Sequence, residues 1–186
     1  MNNENNIRVC PVEKAGMLDN SVRRLLQNPK KILEPYIYSG MTALDLGCGP
    51  GFFSIEIAKM LTDSGKIIAA DLQEEMLDKI REKIKGTELE HRILLHKCKK
   101  DSIDIDEKVD FVLAFYMIHE VPDQDHLFRE LKSILKPNGQ IFVIEPKGHV
   151  SKKMFESMIE RVKGIGFEIN DGPKVFFSRS IILTNE

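Results

Sequence analysis

The chain is short of cysteine, of excess charge and of long apolar runs, and each shortage removes a class of protein. Its three cysteines, Cys10, Cys48 and Cys98, are odd in number and far apart, which suits neither a disulfide framework nor a Cys-x-x-Cys zinc site. The thiols therefore read as reduced, and no metal centre is expected. With 27 Lys and Arg against 29 Asp and Glu, the net charge is -2. That leaves no strong positive field of the kind non-specific phosphate binding requires, so a nucleic acid is not the expected partner. The apolar stretches are too short to span a bilayer, and Met1 to Asn6 lacks the apolar core of a secretory leader. A cytoplasmic protein without membrane insertion is the expectation. No repeat, low-complexity tract or Pro/Gly/Ser-rich linker divides the 186 residues, a length that one domain accommodates.

What the chain does have is alternation. Thr42 to Leu46, Lys66 to Ala70, Arg92 to His96, Val109 to Ala114 and Gln140 to Glu145 are short and apolar, as strands buried on both faces of a parallel sheet are. Between them, Phe52 to Leu61, Glu74 to Lys85, Asp125 to Leu135 and Lys152 to Lys163 carry helical patterns; the second sets Met76, Leu77, Ile80 and Ile84 on one face. This order predicts an α/β fold with a doubly wound, mostly parallel sheet of Rossmann-like type. After Gly164-Ile165-Gly166, two strand-like runs, Phe167 to Phe177 and Ser180 to Thr184, follow with no helix between them. They must pair antiparallel, which brings the sheet to seven strands with an antiparallel end. Ahead of the sheet, Leu18 to Leu26 and Pro29 to Ile37 read as short helices, the second capped by Asn28. Residues 1–40 are thus expected to form a helical cover on the main 41–186 unit.

The most informative stretch is Leu44-Asp45-Leu46-Gly47-Cys48-Gly49-Pro50-Gly51-Phe52, a strand that runs into a glycine-rich turn and then a helix. Without side chains at Gly47, Gly49 and Gly51 the backbone can turn sharply, and a ligand can approach its amides closely. Some twenty residues on, Asp71 ends the second strand, where a carboxylate can accept from both hydroxyls of a ribose. A nucleoside-containing ligand follows. A dinucleotide loop would place its third glycine one position later, where this chain has Phe52.

The same stretch resembles the first motif of class I S-adenosylmethionine-dependent methyltransferases. The resemblance extends through Asp71, Asp110-Phe111-Val112-Leu113-Ala114, His119-Glu120-Val121-Pro122-Asp123 and Leu135-Lys136-Pro137-Asn138-Gly139-Gln140. It implies S-adenosylmethionine as cofactor: Asp45 and the Gly47, Cys48, Gly49 and Gly51 backbone around the methionine portion, Asp71 on the ribose, Leu72 against adenine. The family usually has an acidic residue after the third strand, and here that position holds Cys98. Two options remain for the adenine amino group, the main chain of Cys98 and Lys99, or Asp101. Cys48 reads as a small filler in the loop rather than a nucleophile.

The resemblance also implies a small-molecule methyl acceptor. Positioning can supply much of the acceleration of such a transfer, but an acceptor with a high pKa makes a base useful. Tyr116, His119, Glu120, Glu145 and His149 are the candidates at the rim after the fourth and fifth strands. His119 can equally pack or cap the next helix, Glu145 can orient a loop, and His149 sits in the polar connection Pro146-Lys147-Gly148-His149-Val150. Met17, Phe52, Phe53, Tyr116, Met117 and Met154 could line an apolar acceptor pocket, though such residues are more often core. Arg23, Arg24, Lys30 and Lys31 could meet an anionic acceptor or form a solvated helix face. Two alternatives stand beside this reading: arsenite methylation using soft thiolates at Cys10, Cys48 and Cys98, and a non-catalytic module that binds the cofactor alone.

Overall fold

A computed structural model describes residues 26–62 and 64–185. The expected helix Leu18 to Leu26, apart from its last residue, lies outside the described residues, as do Cys10, Met17, Arg23 and Arg24. The chain order is α1 (Pro29–Leu33), β1 (Thr42–Leu46), α2 (Ser54–Met60), β2 (Lys66–Asp71), α3 (Glu74–Ile84), β3 (Ile93–Lys97), β4 (Val109–Phe115), α4 (Gln124–Ile134), β5 (Leu135–Pro146), α5 (Lys152–Gly164), β6 (Phe167–Asp171) and β7 (Ser178–Asn185). Short 3-10 turns sit at Glu88–His91 and Ile118–Glu120. No helix among the described residues is long and apolar enough to cross a membrane.

The seven strands form one sheet in the order β3-β2-β1-β4-β5-β7-β6. The first five are parallel, and β7 runs antiparallel to both β5 and β6. Period-two alternation assigns each strand residue to a face. Ala43, Ile67, Phe111 and Phe142 face a core closed by α1, α2 and α3 residues such as Leu33, Ile57 and Ile80. Leu44, Ile68, Val112 and Val143 face a second core closed by Phe128 and Leu131 of α4 and Val162 of α5. Burial of each large side chain here contributes about 1.5–3 kcal/mol. The Asn28 side chain caps α1 by accepting from Lys31 N at 3.2 Å, and Tyr36 just beyond it stacks on Phe111.

Two strand boundaries differ from the sequence expectation by more than two residues. β5 begins at Leu135, five residues early, because Leu135 pairs with Val109 before a register shift. The extra residues fit in a bend with Asn138 at φ 63°, and Lys136 Nζ reaches Asp110 Oδ2 at 2.7 Å. The run Phe167 to Phe177 is a strand only to Asp171. Proline at 173 has no N–H for a ladder, and the backbone at Gly172 lies so close to Ser180 and Ile181 that a Cβ would meet them at 2.7–2.8 Å. Strand structure resumes at Ser178.

Strand order reverses between β1 and β4, so the ligand crevice of such a sheet opens at their carboxyl ends. The glycine loop leaves β1 at that point and is held tightly against α3. Gly51 has φ 86°, and a Cβ there would lie 2.8 Å from Ile80 Cγ1. Gly51→Ala combines a strained backbone with overpacking, and in urea titrations it is expected to lower stability by about 1–3 kcal/mol. An unchanged midpoint would mean that α3 can move aside.

Candidate functional site

The site is built from the ends of β1, β2 and β4. Left-handed φ angles at Gly47 (68°), Gly49 (52°) and Gly51 (86°) curl the loop back over β2, where Gly47 N and Cys48 N both donate to Ala70 O, at 2.9 and 3.0 Å. Gly49 N then donates to Asp71 Oδ2 and Gln73 N to Asp71 Oδ1, each at 2.9 Å. Burial pushes the Asp71 carboxyl above the usual carboxylate range, and main-chain N–H groups of Gln73, Gly49 and Leu72 pull it back. Each Asp71 oxygen keeps further acceptor capacity. Asp45, also buried, accepts from Ser54 Oγ at 2.5 Å, and Lys83 Nζ steadies the loop by donating to Pro50 O at 2.6 Å.

Below this loop lies a cavity of about 510 Å³, within the range of small-molecule sites. Its walls include Asp45, Gly47, Cys48, Gly49, Asp71, Leu72, Cys98 and Lys99. Gly51, also expected at the ligand, is not among them, though its neighbours Pro50 and Phe52 are. At the third strand's end, Cys98 N donates to Asp71 O and Lys99 N to Ser102 O, both at 2.9 Å. The Cys98 amide thus ties the end of β3 to β2 and the Lys99 amide closes its own loop, while Asp101 lies along the cavity wall. Glu130 of α4 holds this loop by accepting from Ser102 Oγ at 2.6 Å and Ile103 N at 3.2 Å; nothing local in the sequence signals that link. Burial pushes the Cys98 thiol up to about 12 and the Cys48 thiol well above its usual range.

The cavity is also aromatic in part. Phe52, Phe53, Phe115, Tyr116 and Met117 line it, with ring centroids 4.3 Å apart for both Phe53–Phe115 and Phe115–Tyr116. Tyr116 is left-handed, φ 62°, uncommon for a bulky residue. It is held there by its own N–H on Ile144 O at 2.8 Å and by its hydroxyl. That oxygen accepts from Gln27 Nε2 at 2.6 Å and lies 2.5 Å from Ser178 Oγ, which itself donates to Phe176 O at 2.9 Å. The chain of donors makes Tyr116 the donor to Ser178, so its hydroxyl is committed to holding the ring. Gln27 and Ser178 carry no sequence signal that could have found them.

His119 and His149 do not line this cavity. His119 borders a second one, of about 560 Å³ between α4 and α5, together with Glu145, Lys153, Met154 and Arg161. Its Nδ1–H donates to buried Glu145 Oε2 at 2.5 Å, Ile118 N donates to Glu145 Oε1 at 3.0 Å, and His149 Nδ1 lies 3.4 Å from His119 Nε2.

A glycine loop with a buried carboxylate one strand over, at the reversal point of a parallel sheet, defines a nucleoside-cofactor site. The residues fit S-adenosylmethionine: Asp71 can meet a ribose, and Asp45 and the glycine backbone can meet a charged amino-acid portion. The methyltransferase-domain family model matches residues 37–172, and the chain belongs to that family, of the class I S-adenosylmethionine-dependent type. A curated relative, demethylmenaquinone methyltransferase of Lactobacillus johnsonii, is 33% identical over 125 residues, 65% of this chain and 51% of that protein. The chain spans about half the length of the curated relatives it matches. Among solved structures, a SAM-dependent methyltransferase from Aquifex aeolicus is 26% identical, with 94% of this chain and 97% of that one covered at a TM-score of 0.81. The [4+2]-cyclase SpnF shares the fold at 22% identity, with 77% and 58% covered and a TM-score of 0.66.

The Glu145 hydrogen bond, set against burial and aided by the charges of Glu145 and Glu120, raises the pKa of His119. A raised imidazole pKa means that the protonated pair stabilises the fold fully below the unfolded value of about 6.5. That stabilisation is lost as pH rises through the folded value. His119→Gln is therefore expected to cost more stability at about pH 6 than at about pH 9 in urea titrations; an equal cost at both would mean that the pair is not charged.

Proposed function

We propose that this chain transfers a methyl group from S-adenosylmethionine to an apolar, ring-bearing small molecule. The observation that carries the reading is a cavity that brings buried carboxylates and bare glycine backbone together with packed aromatic rings. In this reading Asp71 holds the ribose hydroxyls, Asp45 and the Gly47–Gly49 backbone hold the amino-acid portion, and Leu72 packs on adenine. Asp101, a carboxylate on the cavity wall, is the acceptor for the adenine amino group. When bound, the cofactor supplies an electrophilic methyl on a good leaving group.

The chain's own contribution is position. Phe53, Phe115 and Tyr116 exclude water and offer flat faces to a ring, and the Gln27–Tyr116–Ser178 hydrogen bonds fix the orientation of the last of them. Tyr116 is thus a positioning residue rather than a base, and the His119–Glu145–His149 group stands outside the reaction cavity. The name of the curated relatives makes a demethylmenaquinone-type quinol the first acceptor to try. A cyclase on the same fold shows that fold alone does not decide the chemistry.

The test is to incubate the protein with methyl-labelled cofactor and a panel of apolar ring acceptors. Label in a methylated product is expected; cofactor binding with no transfer to any member would favour the non-catalytic module. Tyr116→Phe, which keeps the ring and removes its two hydroxyl contacts, is expected to raise the acceptor KM about fivefold, with cofactor affinity unchanged. An unchanged KM would detach Tyr116 from the acceptor.

A further inference from the structure

Two connections at the rim carry chemistry that the cavity does not use. Residues 146–151 and 172–177 are joined by Lys147 N donating to Phe177 O at 3.0 Å, by Arg179 Nη1 donating to Val150 O at 2.8 Å, and by the pairing of Pro146 with Ser178. On their surface Phe176 and Phe177 are 59% and 61% exposed, with ring centroids 6.5 Å apart. Met154, just along the chain, is 54% exposed. Phe177 has φ 50°, so a bulky ring is held in solvent by a backbone that also carries strain. Both features are unfavourable in water, and neither serves the core.

The charges beside these rings are mainly positive, with Lys152 paired to Glu156 at 3.6 Å. Lys147, Lys152, Lys153 and Lys174 are exposed and Arg179 is half-buried, while residues 146–155 and 173–180 contain no Asp or Glu. This in a chain of net charge -2 is a local basic, aromatic lip. It is also tied to the reaction cavity, since Ser178 Oγ, the partner of the Tyr116 hydroxyl, donates to Phe176 O.

We propose that this lip docks on a bilayer that carries anionic lipids. Phe176 and Phe177 enter the boundary between headgroups and acyl chains, the lysines meet the phosphates, and an apolar acceptor passes from lipid to the cavity behind Tyr116. The docking is peripheral and needs no spanning helix. Lysines with aromatic rings can also bind single-stranded nucleic acid. The bilayer is favoured because the lip offers rings and charge without Asn, Gln, Asp or Glu side chains to read bases, and because Ser178 links Phe176 to Tyr116 on the wall of the reaction cavity. The delivery step rests on the proposed apolar acceptor, whereas docking itself can be measured separately.

The experiment is co-sedimentation of the full chain with vesicles of phosphatidylcholine alone or mixed with phosphatidylglycerol, at low and high salt. Wild type is expected to bind the anionic vesicles and to be released by salt. Phe176→Ser with Phe177→Ser, and separately Lys147→Glu with Lys174→Glu, are each expected to weaken binding at least about tenfold with melting temperature and cofactor affinity unchanged. Failure of wild type to bind anionic vesicles, or wild-type binding by both double variants, would overturn the proposal, as would preference for a single-stranded RNA oligomer over the vesicles. Vesicle binding without cofactor binding would instead sink the methyltransferase reading and leave the docking surface standing.

Discussion

The site depends on one hydrogen bond, from Gly49 N to Asp71 Oδ2. It ties the loop leaving β1 to the residue ending β2, and the geometry on either side follows from it. The loop can lie over β2 only because Gly47, Gly49 and Gly51 take left-handed conformations. Main-chain N–H groups offset part of the desolvation that burial imposes on this carboxylate. Tightening the loop also brings the backbone at Gly47 within Cβ distance of Met117 beyond β4, 2.9 Å, so β1, β2 and β4 are brought together around one crevice.

Much of this was legible because it is local. The three glycines, the strand before them and Asp71 lie within a stretch of about thirty residues whose periodicity and spacing reflect backbone requirements directly. The parallel core was legible for the same reason, since strands buried on both faces have to be continuously apolar. What was not legible depends on contacts between distant segments. The early start of β5 comes from pairing with Val109, and the end of β6 comes from the close approach of Gly172 to β7. Tyr116 looked like a possible base because its sequence neighbourhood contains neither Gln27 nor Ser178, which occupy its hydroxyl. The close approach of Gly51 to Ile80 of α3 was likewise not legible, since the two are far apart in sequence.

Polar and apolar groups meet in one crevice. Asp45, Asp71 and the glycine backbone lie where β1 and β2 end, Phe115 and Tyr116 where β4 ends, and the exposed aromatic lip is joined to Tyr116 by way of Ser178. The ion pair of His119 with Glu145 stands to one side, between β5 and the turn after β4. There it holds the turn that carries Met117 and Ile118 and so supports the cavity wall from behind. Left-handed Tyr116 and Phe177 sit at the two ends of the connection between cavity and lip, as strained residues often do at functional sites.

The central claim is that the Asp71 end of the cavity binds S-adenosylmethionine, and calorimetric titration tests it most directly. Wild type should bind the cofactor and its demethylated product, Asp71→Asn should bind each at least about tenfold more weakly, and a nicotinamide dinucleotide should not compete. Equal affinity in the folded variant, or displacement by the dinucleotide, would contradict the account.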